Sequence, residues 1–306
     1  MNELALFLSA SLASGTPLAL AALGLLLNER AGVINLGTEG LMLVAAVTGF
    51  ATTVHSHHPA LGLLAGAAAS ALLSALLGAL VIFLDTNQYA TGLALSLFGA
   101  GFSAFVGVPY TQESIPAHAS TGIPVLAHVP FIGPALFSHH PLVYGAMILA
   151  AAETWFFFRS KPGLVVRAIG EAPEAAQALG YRVRSIRFKT VVLGGALVGL
   201  AGAYVSVVAT PLWVEGMIAG KGWIALALTT FATWRPMRVL LGAYLFGAVT
   251  MLQLHLQGRG ISLPVEFLTA LPYLSTILVL VVISRNPRFI AANIPASLGK
   301  PFHSGA

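Results

Sequence analysis

The chain has 306 residues, 57% of them hydrophobic and only 8% charged, and its mean hydropathy is +0.88. A soluble domain carries about 25% charged residues, so this composition excludes a water-soluble protein and predicts one membrane-integral domain over 1–306. The net charge of +5 comes from basic residues flanking apolar stretches, which membrane topology demands and which gives no sign of nucleic acid, while the lack of cysteine excludes disulfides and thiol chemistry.

A hydrocarbon core takes about 20 apolar residues per helix. On that measure the chain offers spans at 4–27, 38–54, 60–84, 90–107, 142–158, 190–209, 222–233, 239–256 and 267–284. The fold class expected is therefore an all-α polytopic membrane bundle of about nine spans. The seventh is too short to cross comfortably and should be tilted, re-entrant or broken, as buried non-helical backbone permits. The first run lacks a basic leader, so no cleavable signal peptide is expected.

Between the first two spans lies NERAGVINLGTEG, residues 28–40. Glu29 and Arg30 are expected at the membrane boundary, where charge costs little. Asn35, Thr38 and Glu39 lie just inside, among glycines that let the backbone bend. An intramembrane carboxylate usually faces a bundle interior or water, and broken helix ends offer unpaired backbone groups to a polar solute. Two readings stand for these three residues: lining or bracing a pathway near its inner end, or a structural role with Glu39 paired to Arg30 or a neighbouring helix.

Further along, HSHHP at 55–59 reads as a wet interfacial loop, because no carboxylate or cysteine completes a ligand set with its histidines. No metal or cofactor is expected. Gly62 and Gly66, like Gly195 and Gly199, form GxxxG pairs that serve close helix packing. The stretch DTNQYATG at 85–92 places Asn87, Gln88 and Thr91 as pathway or gate candidates at the inner end of spans three and four. Glu153 is expected to pair with Arg159 at the same edge. Trp213, Glu215 and Trp223 flank the short seventh span on the outer side. They read by default as an interfacial belt, and functionally as contacts for a delivering protein or an entering solute.

Residues 159–189, RSKPGLVVRAIGEAPEAAQALGYRVRSIRFK, form the one substantial basic loop. Pro173 opens PEAAQAL and Gly180 closes it, the proline-first, glycine-last order of a helix; Glu171 and Glu174 favour its start. A short helix with small side chains at Ala175 and Ala176 suits docking into the groove of another protein. Alternating the nine spans gathers thirteen of the fifteen Lys and Arg residues on one side and leaves Lys221 and Arg259 on the other. The first side is then cytoplasmic, the N-terminus outside and the C-terminus inside.

The stretch RAIGEAPEAAQALGYRVRSIRFKTVVLGGALVGLAGA (167–203) resembles the coupling-loop region of ABC-importer permeases of the branched-chain amino acid, simple-sugar and nucleoside group. ERAGVINLGTEGLMLVAA is similar to the opening signature of the simple-sugar and nucleoside subgroup. NQYATGLALSLFGAG and GKGWIALALTTFATWRPMRVLLGAYLFGA follow its later blocks in order, although Tyr181 stands where an aliphatic residue is usual. The resemblance implies a permease subunit of a bacterial plasma (inner) membrane importer for a nucleoside or simple sugar. It implies a cytoplasmic ATPase, docked on Arg167, Gly170, Glu171, Ala175, Ala176 and Gly180, a second related permease subunit and a solute-binding lipoprotein. The chain itself is expected not to be an enzyme, since GMIAGKG has the wrong spacing for a phosphate loop. A secondary transporter or channel is the competing reading, and the scarcity of ionisable residues deep in the spans weighs against it.

Overall fold

The computed structural model describes residues 3–116, 132–258 and 293–302, with scattered positions between 270 and 281. Eleven α-helices lie in these residues: α1 Glu3–Arg30, α2 Thr38–Ser56, α3 Pro59–Gly78, α4 Gln88–Gly107, α5 Ile132–Leu136, α6 Pro141–Arg159, α7 Lys161–Glu171, α8 Pro173–Ala178, α9 Val183–Tyr204, α10 Lys221–Phe231 and α11 Pro236–Gly258. Single π-helical turns extend α3 over Ala79–Phe83 and α9 over Val205–Ala209. Among the described residues the only strand-like pairing is an isolated bridge between Ser114 and Leu212.

Helix α1 is the axis of the bundle. Residues 15–33 are buried without interruption, and a helix apolar on every side belongs in an interior. Helices α9 and α11 flank it along its length, with α5, α6 and α10 completing the shell, while α2 lies between α3, α4 and α9. Lipid tails are as apolar as leucine, so helices associate here by close packing rather than by escape from water. Small residues make that packing possible. The two GxxxG pairs both pack on neighbours: Gly66 and Gly199 meet backbone to backbone, and the Ser70 hydroxyl donates to the Gly195 carbonyl at 2.6 Å. Helices α2 and α4 also approach closely: a Cβ on Gly40 would stand 2.6 Å from the Leu95 carbonyl and from the Ser96 Cα.

Among the described residues six helical segments are long and apolar enough to cross a membrane: Glu3–Arg30, Pro59–Phe83, Gln88–Tyr110, Pro141–Arg159, Val183–Ala209 and Pro236–Gly258. Each agrees with an expected span to within a few residues at most ends. The exception is α9, which starts at Val183, seven residues earlier than the expected 190. Helix α10 has 11 residues, about 16 Å at 1.5 Å per residue, or half of a hydrocarbon core of about 30 Å. It is a half-helix, as its apolar length predicted. Most of the expected span at 267–284 lies outside the described residues.

Candidate functional site

Helix α1 stops because Gly32 turns the chain back with φ +88. The Gly32 N–H bonds to the Glu29 carbonyl at 2.9 Å and the Val33 N–H to the Asn28 carbonyl at 3.1 Å. The chain then runs irregularly through Val33–Asn35 and turns at Leu36 and Gly37 before α2 begins at Thr38. Gln88 steadies this run by accepting the Ile34 N–H at 2.9 Å. Asn35 accepts the Gly37 N–H at 3.0 Å, and the Thr38 hydroxyl donates to the Asn35 carbonyl at 2.8 Å. Asn35 and Thr38 are both buried, and the Asn35 side-chain amide nitrogen has no partner. These two residues build the break between helices.

Glu39, on the first turn of α2, caps the half-helix. Its two carboxylate oxygens accept the N–H groups of Gly220 and Gly222, each at 2.8 Å. The orphan donors at a helix start and the positive end of its dipole both favour an anion there. Gly222 is needed at this contact, because a Cβ would stand 2.6 Å from the Glu39 backbone. The first turns of α2 and α10 therefore meet at one half-buried carboxylate. The next residue, Trp223, is 41% exposed. It belongs to this capped turn at the start of α10.

The other end of α10 is held by Glu29 and Arg30, which are packed inside the bundle and not at the low-cost boundary expected for charges. Both are buried, at 3% and 4% exposure. Glu29 accepts the Thr229 hydroxyl at 2.9 Å and the Trp234 indole N–H at 2.5 Å. The Arg30 guanidinium donates twice to the Trp234 carbonyl, at 2.6 and 3.1 Å. Thr233 and Trp234 both have φ +52, a left-handed conformation that costs roughly 1–2 kcal/mol per residue outside glycine. The two charged side chains hold that turn in place. Of the two partners expected for Glu39 in a structural role, Arg30 is engaged elsewhere and the neighbouring helix α10 is the one it bonds, which leaves two separate clamps, one at each end of α10.

The basic loop is more ordered than its composition suggested. Lys161–Glu171 forms α7, started by the Ser160 hydroxyl, which accepts the Gly163 N–H at 3.1 Å. The expected short helix is α8, Pro173–Ala178. Of the predicted docking residues, Glu171, Ala175 and Gly180 are exposed and Arg167 is half-buried, with its guanidinium over the Phe158 ring. Gly170 and Ala176 point inward: Gly170 packs on the Arg30 carbonyl, and Ala176 is buried with Ile169, Val183 and Phe302. Helix α8 instead turns Glu174, Ala175, Gln177 and Leu179 outward, and Leu179 is 79% exposed.

Residues 293–302 strap this region to the bundle, which no local signal in the sequence announced. The Ser297 N–H and hydroxyl both donate to the Gly170 carbonyl, at 2.9 and 2.7 Å, and Ser297 accepts from Arg187 at 2.8 Å. The Gly299 N–H reaches the Gly32 carbonyl at 3.2 Å. One short segment thus touches α7, α9 and the break after α1.

The remaining predicted residues have local partners. Asn87 is exposed and caps α4 by accepting the Tyr89 and Ala90 N–H groups at 2.9 and 3.0 Å, while Thr91 bonds to the Thr86 hydroxyl at 2.9 Å. Trp213 is buried at 2% against Gly107, which corrects its expected place on the outer face; Glu215 is exposed. Glu153 is buried with no hydrogen-bond partner, and Arg159 is exposed. Six residues apart on a helix, the two point some 240° apart, so the expected ion pair does not form.

The described residues form an all-α bundle with six helices long and apolar enough to cross a membrane, a short helix inside and a small helix pair at the basic end. The family model described as branched-chain amino acid transport system / permease component matches residues 7–283, and the chain belongs to that family. It is a transport subunit rather than an enzyme, resident as a multi-pass protein in the plasma membrane. A protein of Haloferax volcanii, named provisionally as a glucose ABC transporter permease, is 39% identical over 97% of this chain and 97% of its own. The guanosine ABC transporter permease protein of Bacillus subtilis is 33% identical over 99% of this chain and 98% of its own. A nucleoside ABC transporter permease protein of Lactococcus lactis is 32% identical over 92% of each. No solved structure matches.

Proposed function

We propose that the chain forms half of the membrane path of an ATP-driven importer for a nucleoside or simple sugar. A cytoplasmic ATPase, a second permease subunit and an extracytoplasmic binding lipoprotein complete the machine. Relatives whose names carry glucose, guanosine and nucleosides support that cargo class. One geometric observation carries the site assignment: two helix starts meet at Glu39, beside the exposed ring of Trp223. An indole face suits a sugar or base, and the Glu39 carboxylate, held in place by two helix N–H groups, keeps lone pairs that can accept from its hydroxyls. Asn35, Thr38 and Gln88 brace this point from behind.

Counting α2, the half-helix α10 and the apolar stretch 267–284 gives nine membrane segments, with the N-terminus outside and the basic end cytoplasmic. The free face of α8 then meets the ATPase. Its movement passes through Gly170 to Arg30, through Glu29 and Trp234 to α10, and so to Glu39. Uptake by vesicles that hold the full complex tests the cargo. Accumulation of labelled guanosine or glucose supports the assignment, and accumulation of neither any nucleoside nor any sugar refutes it.

A further inference from the structure

The outer faces of α6 and α11 form a groove of about 630 Å³ at the basic end of the bundle. Trp155, Phe158, Pro236 and Met237 make its wall apolar. Trp155 is 64% exposed and Met237 44%, so the wall is open to whatever surrounds the bundle. Three arginines line its rim, Arg159 at the end of α6, Arg235 just before α11 and Arg238 in its first turn. A fourth, Arg167, lies 4.9 Å above the Phe158 ring. Among the described residues no carboxylate lines the groove, and Glu153 lies on the buried face of α6. Arg235 and Arg238 lie three residues apart at one helix start, where like charges repel.

Single basic residues at helix ends follow from topology alone. Three arginines from two helices around one apolar trough go further. The planar guanidinium fork matches phosphate oxygens, and basic pockets between membrane helices hold anionic lipid head groups. We propose that this groove binds one anionic phospholipid. Its phosphate rests among Arg159, Arg235 and Arg238, and an acyl chain lies along Trp155, Phe158 and Met237. Arg238 donates to the Thr233 hydroxyl at 2.8 Å, and Thr233 precedes Trp234 in the turn that Glu29 and Arg30 grip. The lipid phosphate therefore offsets the repulsion at the turn that carries α10.

The test is native mass spectrometry of the purified full-length chain in detergent containing equal amounts of phosphatidylglycerol and phosphatidylcholine. One phosphatidylglycerol should be retained about tenfold over phosphatidylcholine, and Arg159→Gln/Arg235→Gln/Arg238→Gln should abolish that preference. The control Arg182→Gln/Lys189→Gln, which removes charge elsewhere at the same end, should preserve it. Trp155→Ala/Met237→Ala, which keeps every charge, should weaken retention. Equal retention of the two lipids, or equal loss in the control, would overturn the proposal. So would displacement of the lipid by millimolar inorganic phosphate, which marks a bare anion site. If the triple variant does not fold, Arg159→Gln alone, at an exposed helix end, should show a smaller loss of the same preference, and an unchanged preference there counts against the site.

Discussion

The Glu29 carboxylate accepts the indole N–H of Trp234 at 2.5 Å, joining residues 205 positions apart in a buried place. Glu29 ends the central helix α1, and Trp234 ends the turn between α10 and α11. Arg30 grips the same turn through its backbone, and its carbonyl packs on Gly170 of α7. The C-terminal helix turn of α10 is therefore fixed to the axis of the bundle rather than left as a surface loop.

Glu29→Ala leaves the buried Trp234 N–H without its partner, and Trp234→Phe leaves the buried Glu29 carboxylate with the Thr229 hydroxyl alone. Glu29→Ala and Trp234→Phe should each lower unfolding stability in detergent by about 1–3 kcal/mol. A double-mutant cycle should return a coupling of at least about 0.5 kcal/mol, and strictly additive losses would show that the two groups act apart.

Glu39→Gln keeps one acceptor oxygen but removes the charge that faces two helix N–H groups. The charge–dipole part is worth roughly 0.3–1 kcal/mol, up to about 2 when partly buried, so the variant should assemble with slightly reduced stability. Uptake should fall several-fold, and Glu39→Ala should stop it. Wild-type uptake by a normally assembled Glu39→Gln protein would assign this residue to architecture alone.

Glycine positions separate packing from tolerance. A Cβ on Gly99 would stand 2.5 Å from the Gly40 backbone, whereas one on Gly101 meets nothing within 4 Å. Gly40→Ala and Gly99→Ala should each cost about 1–3 kcal/mol or prevent folding, since backbone cannot yield as a side chain can. Gly101→Ala should stay within about 0.5 kcal/mol of the parent. Melting temperatures of the three variants in one detergent check this.

What the sequence made legible were features written locally. Apolar length disclosed most of the described spans and the shortness of α10, and Pro173 with Gly180 disclosed α8. Helix α7 carried the same kind of signal, with Ser160 and Pro162 at its start, but its charges read as loop. Glu29 and Arg30 read as boundary charges because their burial depends on Thr229 and Trp234, some 200 residues away. Trp213 read as interfacial for the same reason: its place under α4 depends on Gly107 leaving room for the ring. The inward orientation of Gly170 and Ala176 depends on Ser297 and Phe302, and no periodicity in the loop encodes that strap.

The two faces of α8 give opposite expectations for one kind of substitution. Ala176→Trp should destabilise the protein, because the site is 3% exposed against Phe302 and overpacking a tight contact costs about 1–3 kcal/mol. Ala175→Trp, on the exposed face, should leave folding intact and disrupt only the contact with the ATPase. Thermal stability and co-purification of the ATPase, measured on both variants, distinguish the two.

The central claim is that a separate motor drives this bundle through α8. Uptake of labelled guanosine and glucose into vesicles tests it most directly, comparing the complete complex with the permease chain alone and with the Ala175→Trp complex. Accumulation should require ATP and the ATPase, and should be lost in Ala175→Trp even though the chain is folded. Solute accumulation by the chain alone without nucleotide, or undiminished uptake by the Ala175→Trp complex, would contradict the account.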